Sequence, residues 1–270
     1  MTQPTPHNKK KLKQINLYIS PCPNDTFAFF ALIKGIVTCE NITIQHRFRD
    51  IEQLNNVALN NHDPNSVCKI SCATIPHITQ NYTLLKTGAA MGFGNAPLLV
   101  AKENILPLNA RIALPGKYTT AAALLKKFFP KLTNTSTHTF NEIIPLIENN
   151  NVDAGVIIHE GRFVYKEHNL NLIADLGELW EQNHPNTPIP LGCIVANNQL
   201  GEETIKELEN AIAQSVKYAL DNPTEPMAFV REHAQELDPN VLQKHISYFV
   251  NNLTIDMGDI GRAAITILNN

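Results

Sequence analysis

The sequence predicts an α/β protein with room for two modest lobes and a ligand cleft, and three observations predict it. Val156, Ile157 and Ile158 form a short continuous apolar run after Gly155, the pattern of a strand buried on both faces of a parallel sheet. Alternating apolar residues at Ile15, Leu17 and Ile19 run into a tight loop and then an apolar helix, and a strand over 111–114 runs into a loop and an amphipathic helix, the repeating unit of such sheets. A late apolar strand, Pro188-Ile-Pro-Leu-Gly-Cys-Ile-Val-Ala196, is stiffened at its start by two prolines and reads as a return crossing between lobes. The expected division is a disordered tail over 1–14, one lobe built from 15–100 and 196–270, and a smaller lobe over 101–195.

Taken in order, the first strand stops at Ser20-Pro-Cys-Pro-Asn-Asp-Thr-Phe27, whose prolines hold the backbone out of helix until Asn24, which is expected to cap a helix over 25–34 closed by Gly35. Asn24 and Asp25 either seat a carboxylate or polar oxygen on amide groups of this loop, or only cap. Ile42, Ile44, His46 and Phe48 alternate as a second strand, with His46 a sheet residue, and 51–59 reads as a short amphipathic helix. Residues 67–71 form a strand that ends on Ser71, a candidate hydroxyl donor or a plain helix cap, before a helix that Pro76 opens. Residues 82–85 suggest another strand. The glycines over 87–94 lack G-x-G-x-x-G spacing and precede no helix, so a dinucleotide loop is rejected; phosphate-loop and nucleophile-elbow motifs are absent too.

In the middle of the chain, Thr119 and Thr120 open an amphipathic helix stopped by Pro130, as caps or as hydroxyl and amide donors to an anion. Residues 138–140 read as an edge strand, 140–148 as a helix, and 174–180 as a strand end and turn with Trp180 as a packing anchor. Ligands collect beyond the carboxyl ends of strands in open α/β sheets, so His159 presents a titratable imidazole to a cleft; a ring that caps a carbonyl or meets solvent would fit the position as well. Glu160, its neighbour, is expected to face water. Beyond 200, Ile205, Leu208, Ile212, Val216 and Ala219 recur at helical spacing, and the C-terminal third reads as helical scaffold and candidate dimer face without chemistry.

Composition narrows the function. A net charge of -3 lacks the basic face that nucleic acid requires, so a small molecule is the expected partner. No stretch reaches the length of a membrane span and no export signal is visible, which makes the cytoplasm the expected compartment. Five cysteines without C-x-x-C spacing predict free thiols and no metal site.

The octet beginning at Ser20, Lys69-Ile-Ser71, Pro115-Gly-Lys-Tyr-Thr-Thr120, Val156-Ile-Ile-His-Glu-Gly-Arg-Phe163 and Pro188-Ile-Pro-Leu-Gly192 together resemble the 1,4-dihydroxy-6-naphthoate synthase family of the futalosine route to menaquinone (vitamin K2). The likeness runs in order from about Ile15 to Val195, and departs from the family pattern at Asn183-His-Pro-Asn-Thr187 and at Cys193. It implies a periplasmic-binding-protein-like (type II) two-lobed fold with the substrate cleft between the lobes. It also implies a lyase that converts cyclic dehypoxanthine futalosine, a carboxylated futalosine derivative, to 1,4-dihydroxy-6-naphthoate with loss of a three-carbon fragment and no cofactor. The family's proton acceptor falls on His159, and its substrate contacts on Lys69, Ile70, Ser71, Thr119 and Thr120. The alternatives are chorismate dehydratase of the same pathway and a carboxylate-binding protein without chemistry.

Overall fold

The computed structural model describes residues 12–94, 96–159, 161–234 and 238–270. Of the expected tail, 1–11 lies outside the described residues, as does Glu160; the first strand already begins at Lys13.

The first half of the chain forms β1 (Lys13–Ile19), α1 (Pro23–Ala28), α2 (Phe30–Ile33), β2 (Ile42–Phe48), α3 (Ile51–Asn60), β3 (Ser66–Ser71), a 3-10 turn at Cys72–His77, β4 (Tyr82–Leu84) and β5 (Ala90–Gly92). The chain then builds β6 (Leu98–Ala101), β7 (Ile112–Leu114), α4 (Thr120–Phe128), β8 (Thr135–Thr137), α5 (Ile143–Glu148), β9 (Ala154–Ile157), α6 (Gly161–Val164), β10 (Asn171–Asp175) and α7 (Leu176–Asn183). It returns through β11 (Ile189–Asn197) to five helices: α8 (Glu202–Asp221), α9 (Met227–His233), α10 (Pro239–Phe249), α11 (Asn252–Ile255) and α12 (Gly258–Asn269).

Two sheets result, one per lobe. The first runs β2-β1-β3-β11-β4 with β5 also on β11; the second runs β10-β6-β9-β7-β8. β1 lies parallel to both β2 and β3, so the loops after β1 and β3 leave the same sheet edge side by side. Both sheets are mixed rather than parallel: β11 is antiparallel to β3, and β9 is parallel to β7 but antiparallel to β6. β9 is nevertheless buried along its whole length, as its apolar run requires.

Sheet membership marks where the chain changes lobe. β6 belongs to the second sheet and β11, from Ile189, to the first, so the chain passes from one sheet to the other between β5 and β6 and returns between β10 and β11. Other elements depart locally. Pro76 sits inside the 3-10 turn rather than opening a helix. The edge strand lies at Thr135–Thr137, just before 138–140. Residues 176–183 are helical because Asp175 caps their first turn, accepting from Gly177 N at 2.8 Å and Glu178 N at 3.3 Å.

One apolar cluster passes from the first sheet into the second, with Ile70 and Cys193 at one end and Leu99, Ile112 and Val156 at the other, around the fully buried Trp180. α12 straps the same junction, as Lys127 Nζ donates to Ile267 O (3.1 Å) and Asn269 Nδ2 to Cys72 O (3.1 Å). Among the described residues no helix is long and apolar enough to cross a membrane.

Gly155 lets α5 lie against β9: a Cβ there would stand 2.3 Å from Ile143 Cγ2, and Ile143 is fully buried. Gly155→Ala is expected to lower the unfolding free energy by about 1–3 kcal/mol through overpacking, read by urea denaturation.

Candidate active site

A cavity of about 740 Å³, counting space open to solvent, lies between the lobes. The first lobe contributes Ser20, Asn24, Asp25, Lys69, Ser71 and His245 to its wall; the second contributes Thr119, Thr120, Ile158, His159 and Arg162. Pieces far apart in sequence therefore converge on one opening. Of the residues singled out from sequence, Ile70 alone stays away from the wall, because alternation along β3 turns it into the apolar core while Lys69 and Ser71 face the cavity.

At the end of β1 the loop behaves differently from its sequence reading. The helix starts at Pro23, with Cys22 as the residue before it, so Asn24 is already inside the first turn and does not cap. The amides of Asp25 and Thr26 both donate to Cys22 O, at 3.1 and 3.0 Å, and are not left for an anion. What the loop brings to the cavity is the two side chains. Asp25, 1% exposed, accepts from Ser20 Oγ (2.8 Å), Ser20 N (3.1 Å), Asn24 Nδ2 (2.8 Å) and Lys69 Nζ (2.6 Å). Lys69 also donates to Gly88 O at 3.1 Å. Its charge is thus matched inside the protein rather than offered to a ligand.

Ser71 is held by the buried Asn55, whose Oδ1 accepts from Ser71 N (2.8 Å) and whose Nδ2 donates to Ser71 Oγ (3.3 Å). Ser71 makes no side-chain cap, so its hydroxyl proton can point to a ligand. Asn55 Nδ2 also donates to Glu52 Oε2 (3.1 Å), and Glu52 accepts Lys117 N (2.8 Å), which ties α3 to the loop before α4 across the cleft. That approach needs a glycine: Gly116 has φ 145°, and a Cβ there would meet Glu52 Oε2 at 2.5 Å.

Both threonine hydroxyls are structural. Thr119 Oγ1 caps α4, accepting from Ala122 N at 3.2 Å and donating to Gly116 O at 2.9 Å. Thr120 Oγ1 donates to Leu191 O at 2.9 Å, joining α4 to β11. With Ala122 N taken by Thr119 Oγ1 and Ala123 N by Thr119 O, the start of α4 keeps the amides of Thr120 and Ala121, which have no carbonyl one turn back to bond.

His159 follows β9 with φ 54°, a left-handed turn that sets its half-buried ring at the cavity wall. Cys22 Sγ lies 3.5 Å from Nδ1 and 3.8 Å from Nε2, and Phe140 presents itself edge-on at 4.9 Å between centroids. Facing it from α10 is His245, with ring centroids 6.0 Å apart and planes inclined by 16°. Three residues further along α10, Tyr248 stacks on Phe163 of α6 at 6.1 Å. Arg162 donates to Ala96 O and to Asp175 Oδ2 (3.2 Å), which matches its charge as Asp25 matches that of Lys69.

His245 was not foreseen. It sits in a helix whose apolar residues hide it in the scaffold pattern; its one signal was a histidine on the buried face of an amphipathic helix. It is 1% exposed, and its Nε2 meets Asn24 Oδ1 at 3.0 Å. Burial first, and His159 second, push its pKa down to about 3, so it is neutral at ordinary pH. Among the described residues no cluster of side chains suits a metal ion.

A family model described as menaquinone biosynthesis matches residues 15–270. A 1,4-dihydroxy-6-naphthoate synthase of Thermus thermophilus is 37% identical over 258 residues, covering 95% of this chain and 93% of that one. Among solved structures, a protein from Archaeoglobus fulgidus superposes with a TM-score of 0.88 at 31% identity, covering 97% and 96% of the two chains. A Candida albicans protein described as having the generic periplasmic binding protein fold superposes at 0.65 with 13% identity, covering 95% and 90%, and speaks to fold alone.

Two consequences can be measured. Lys69→Met leaves the Asp25 carboxylate buried without its cation, and is expected to cost about 3–5 kcal/mol of stability in urea unfolding. The second concerns acid. Between the ordinary imidazole value of 6.5 and about 3, the unfolded chain binds a proton at His245 that the folded chain does not, so stability falls as pH drops through this window. Each pH unit removes about 1.4 kcal/mol. His245→Gln lacks this proton, and its plot of unfolding free energy between about pH 6 and 4.5 is expected to be shallower than that of the native chain by about this slope.

Proposed function

The chain belongs to the menaquinone-biosynthesis family, and from that premise we propose that it acts as a 1,4-dihydroxy-6-naphthoate synthase, a carbon–carbon lyase that converts cyclic dehypoxanthine futalosine and releases a three-carbon fragment. One observation carries this reading. Five titratable side chains line the cavity: Asp25 and Lys69 hold each other, Arg162 is held by Asp175, and His245 is kept neutral by burial. His159 is the one that can take up a proton without disrupting an ion pair, and it is half-buried at the wall.

In the proposed reaction, neutral His159 removes the proton from a sugar-derived hydroxyl of the substrate. A carbonyl forms at that carbon as the neighbouring C–C bond breaks in a retro-aldol sense, and the released electron pair is taken up by the ring that becomes aromatic. An imidazole suits the step because its ordinary pKa lies near neutral pH. The Ser71 hydroxyl and the first-turn amides of α4 donate to the substrate carboxylate and to developing oxyanion character. Closure of the lobes excludes bulk water.

Asparagine tolerates positive φ, so His159→Asn removes the base while keeping the turn. The folded variant is expected to lose at least about 100-fold in turnover, followed by appearance of the naphthoate chromophore. Near-native turnover would sink the assignment. Chorismate offered separately is expected to be returned unchanged; its conversion would point to the sister dehydratase, and unchanged futalosine derivative would point to a binding protein.

A further inference from the structure

Five buried side-chain nitrogen or oxygen atoms among the described residues have no hydrogen-bond partner: Asn16 Oδ1, Arg47 Nε, Asp50 Oδ2, His184 Nε2 and His245 Nδ1. Of these residues, His245 alone lines the cavity. A buried ring nitrogen without a partner is costly, and such an orphan on a residue of the cavity wall points to a group that a ligand completes.

The chemistry of that nitrogen follows from its neighbours. Lys69 Nζ and the Ser20 donors fix the Asp25 carboxylate, and Asp25 Oδ1 then accepts from Asn24 Nδ2 at 2.8 Å. This orients the amide, so Asn24 Oδ1 is the atom facing His245 Nε2 at 3.0 Å, and an amide oxygen only accepts. Nε2 must carry the hydrogen. In the neutral ring Nδ1 is then a lone pair: it repels a carboxylate and attracts an O–H.

We infer that His245 contacts the substrate, its Nδ1 accepting a hydrogen bond from a hydroxyl of the ligand on the side of the cavity that faces His159. The inference rests on the proposed function and adds a second imidazole of opposite duty. His159 takes a proton away; His245 keeps a hydroxyl protonated and in place. It also makes His245 a determinant of specificity, because a ligand without that hydroxyl leaves the nitrogen buried and unpaired, the arrangement by which enzymes reject deoxygenated analogues most strongly.

The test reads His245 itself. The His159→Asn chain, labelled with 15N-histidine and assigned against a further His245→Gln variant, is titrated with cyclic dehypoxanthine futalosine. The free protein is expected to show His245 as the Nε2–H tautomer, and saturation is expected to move its Nδ1 resonance upfield as the lone pair accepts a hydrogen bond. Calorimetry on the same preparations is expected to show substrate affinity about tenfold or more weaker once His245 is replaced. A purely structural histidine would leave the Nδ1 resonance where it was. Binding with that resonance unmoved, or a free ring found as the Nδ1–H tautomer, overturns the inference and leaves the proposed function standing. No binding at all overturns both.

Discussion

The buried ion pair between Lys69 and Asp25, 2.6 Å long, is the interaction on which the rest of the site depends. Two ions taken out of water cost several kcal/mol each, and their attraction offsets that only when the remaining polar valences are also filled. Here they are filled by Ser20, Asn24 and Gly88 O. The pairing is possible because β1 and β3 are adjacent and parallel, so the loop after β1 lies beside the carboxyl end of β3, where Lys69 stands. A single electrostatic demand at two strand ends thereby reaches across to α10: it turns the Asn24 amide, and the amide selects the hydrogen position on His245.

The cavity is electrically quiet for the same reason. Each cation on its wall has an anion of its own, and neither is left to meet a charged ligand. Under the proposed function, recognition of the substrate carboxylate therefore falls to dipoles, the Ser71 hydroxyl and the amides at the start of α4, which act without needing a counter-ion. In the proposed reaction His159, half-buried among these paired charges, takes up a proton without breaking either ion pair.

Much of this was legible in the chain. The apolar run before His159, the alternation at Ile15 to Ile19 and the prolines after Ser20 each encode a local conformation, and together they place His159, Lys69, Ser71, Thr119 and Thr120 at element ends on a common cleft. Local pattern could not show how polar groups would be shared over long sequence distances. The loop at Asn24 and Asp25 leaves anion seat and cap both open until Cys22 O is seen to take the amides of Asp25 and Thr26, and the threonines leave cap and ligand donor both open until Gly116 O and Leu191 O are seen to accept from their hydroxyls. His245 was hidden for a related reason: it lies 221 residues from the asparagine that gives it meaning, in a helix whose periodicity suggests only packing.

The two ring pairs that face each other between α10 and the segment after β9 couple alignment to enclosure. His159 and Phe163 stand on one lobe, His245 and Tyr248 on the other, and each ring is about as far from its opposite number as the next. Any parting of the lobes along this line unzips both couples in the same movement. The separation of the two imidazoles is therefore set by how the lobes meet and not within either lobe, so a substitution that alters that meeting reaches both rings at once.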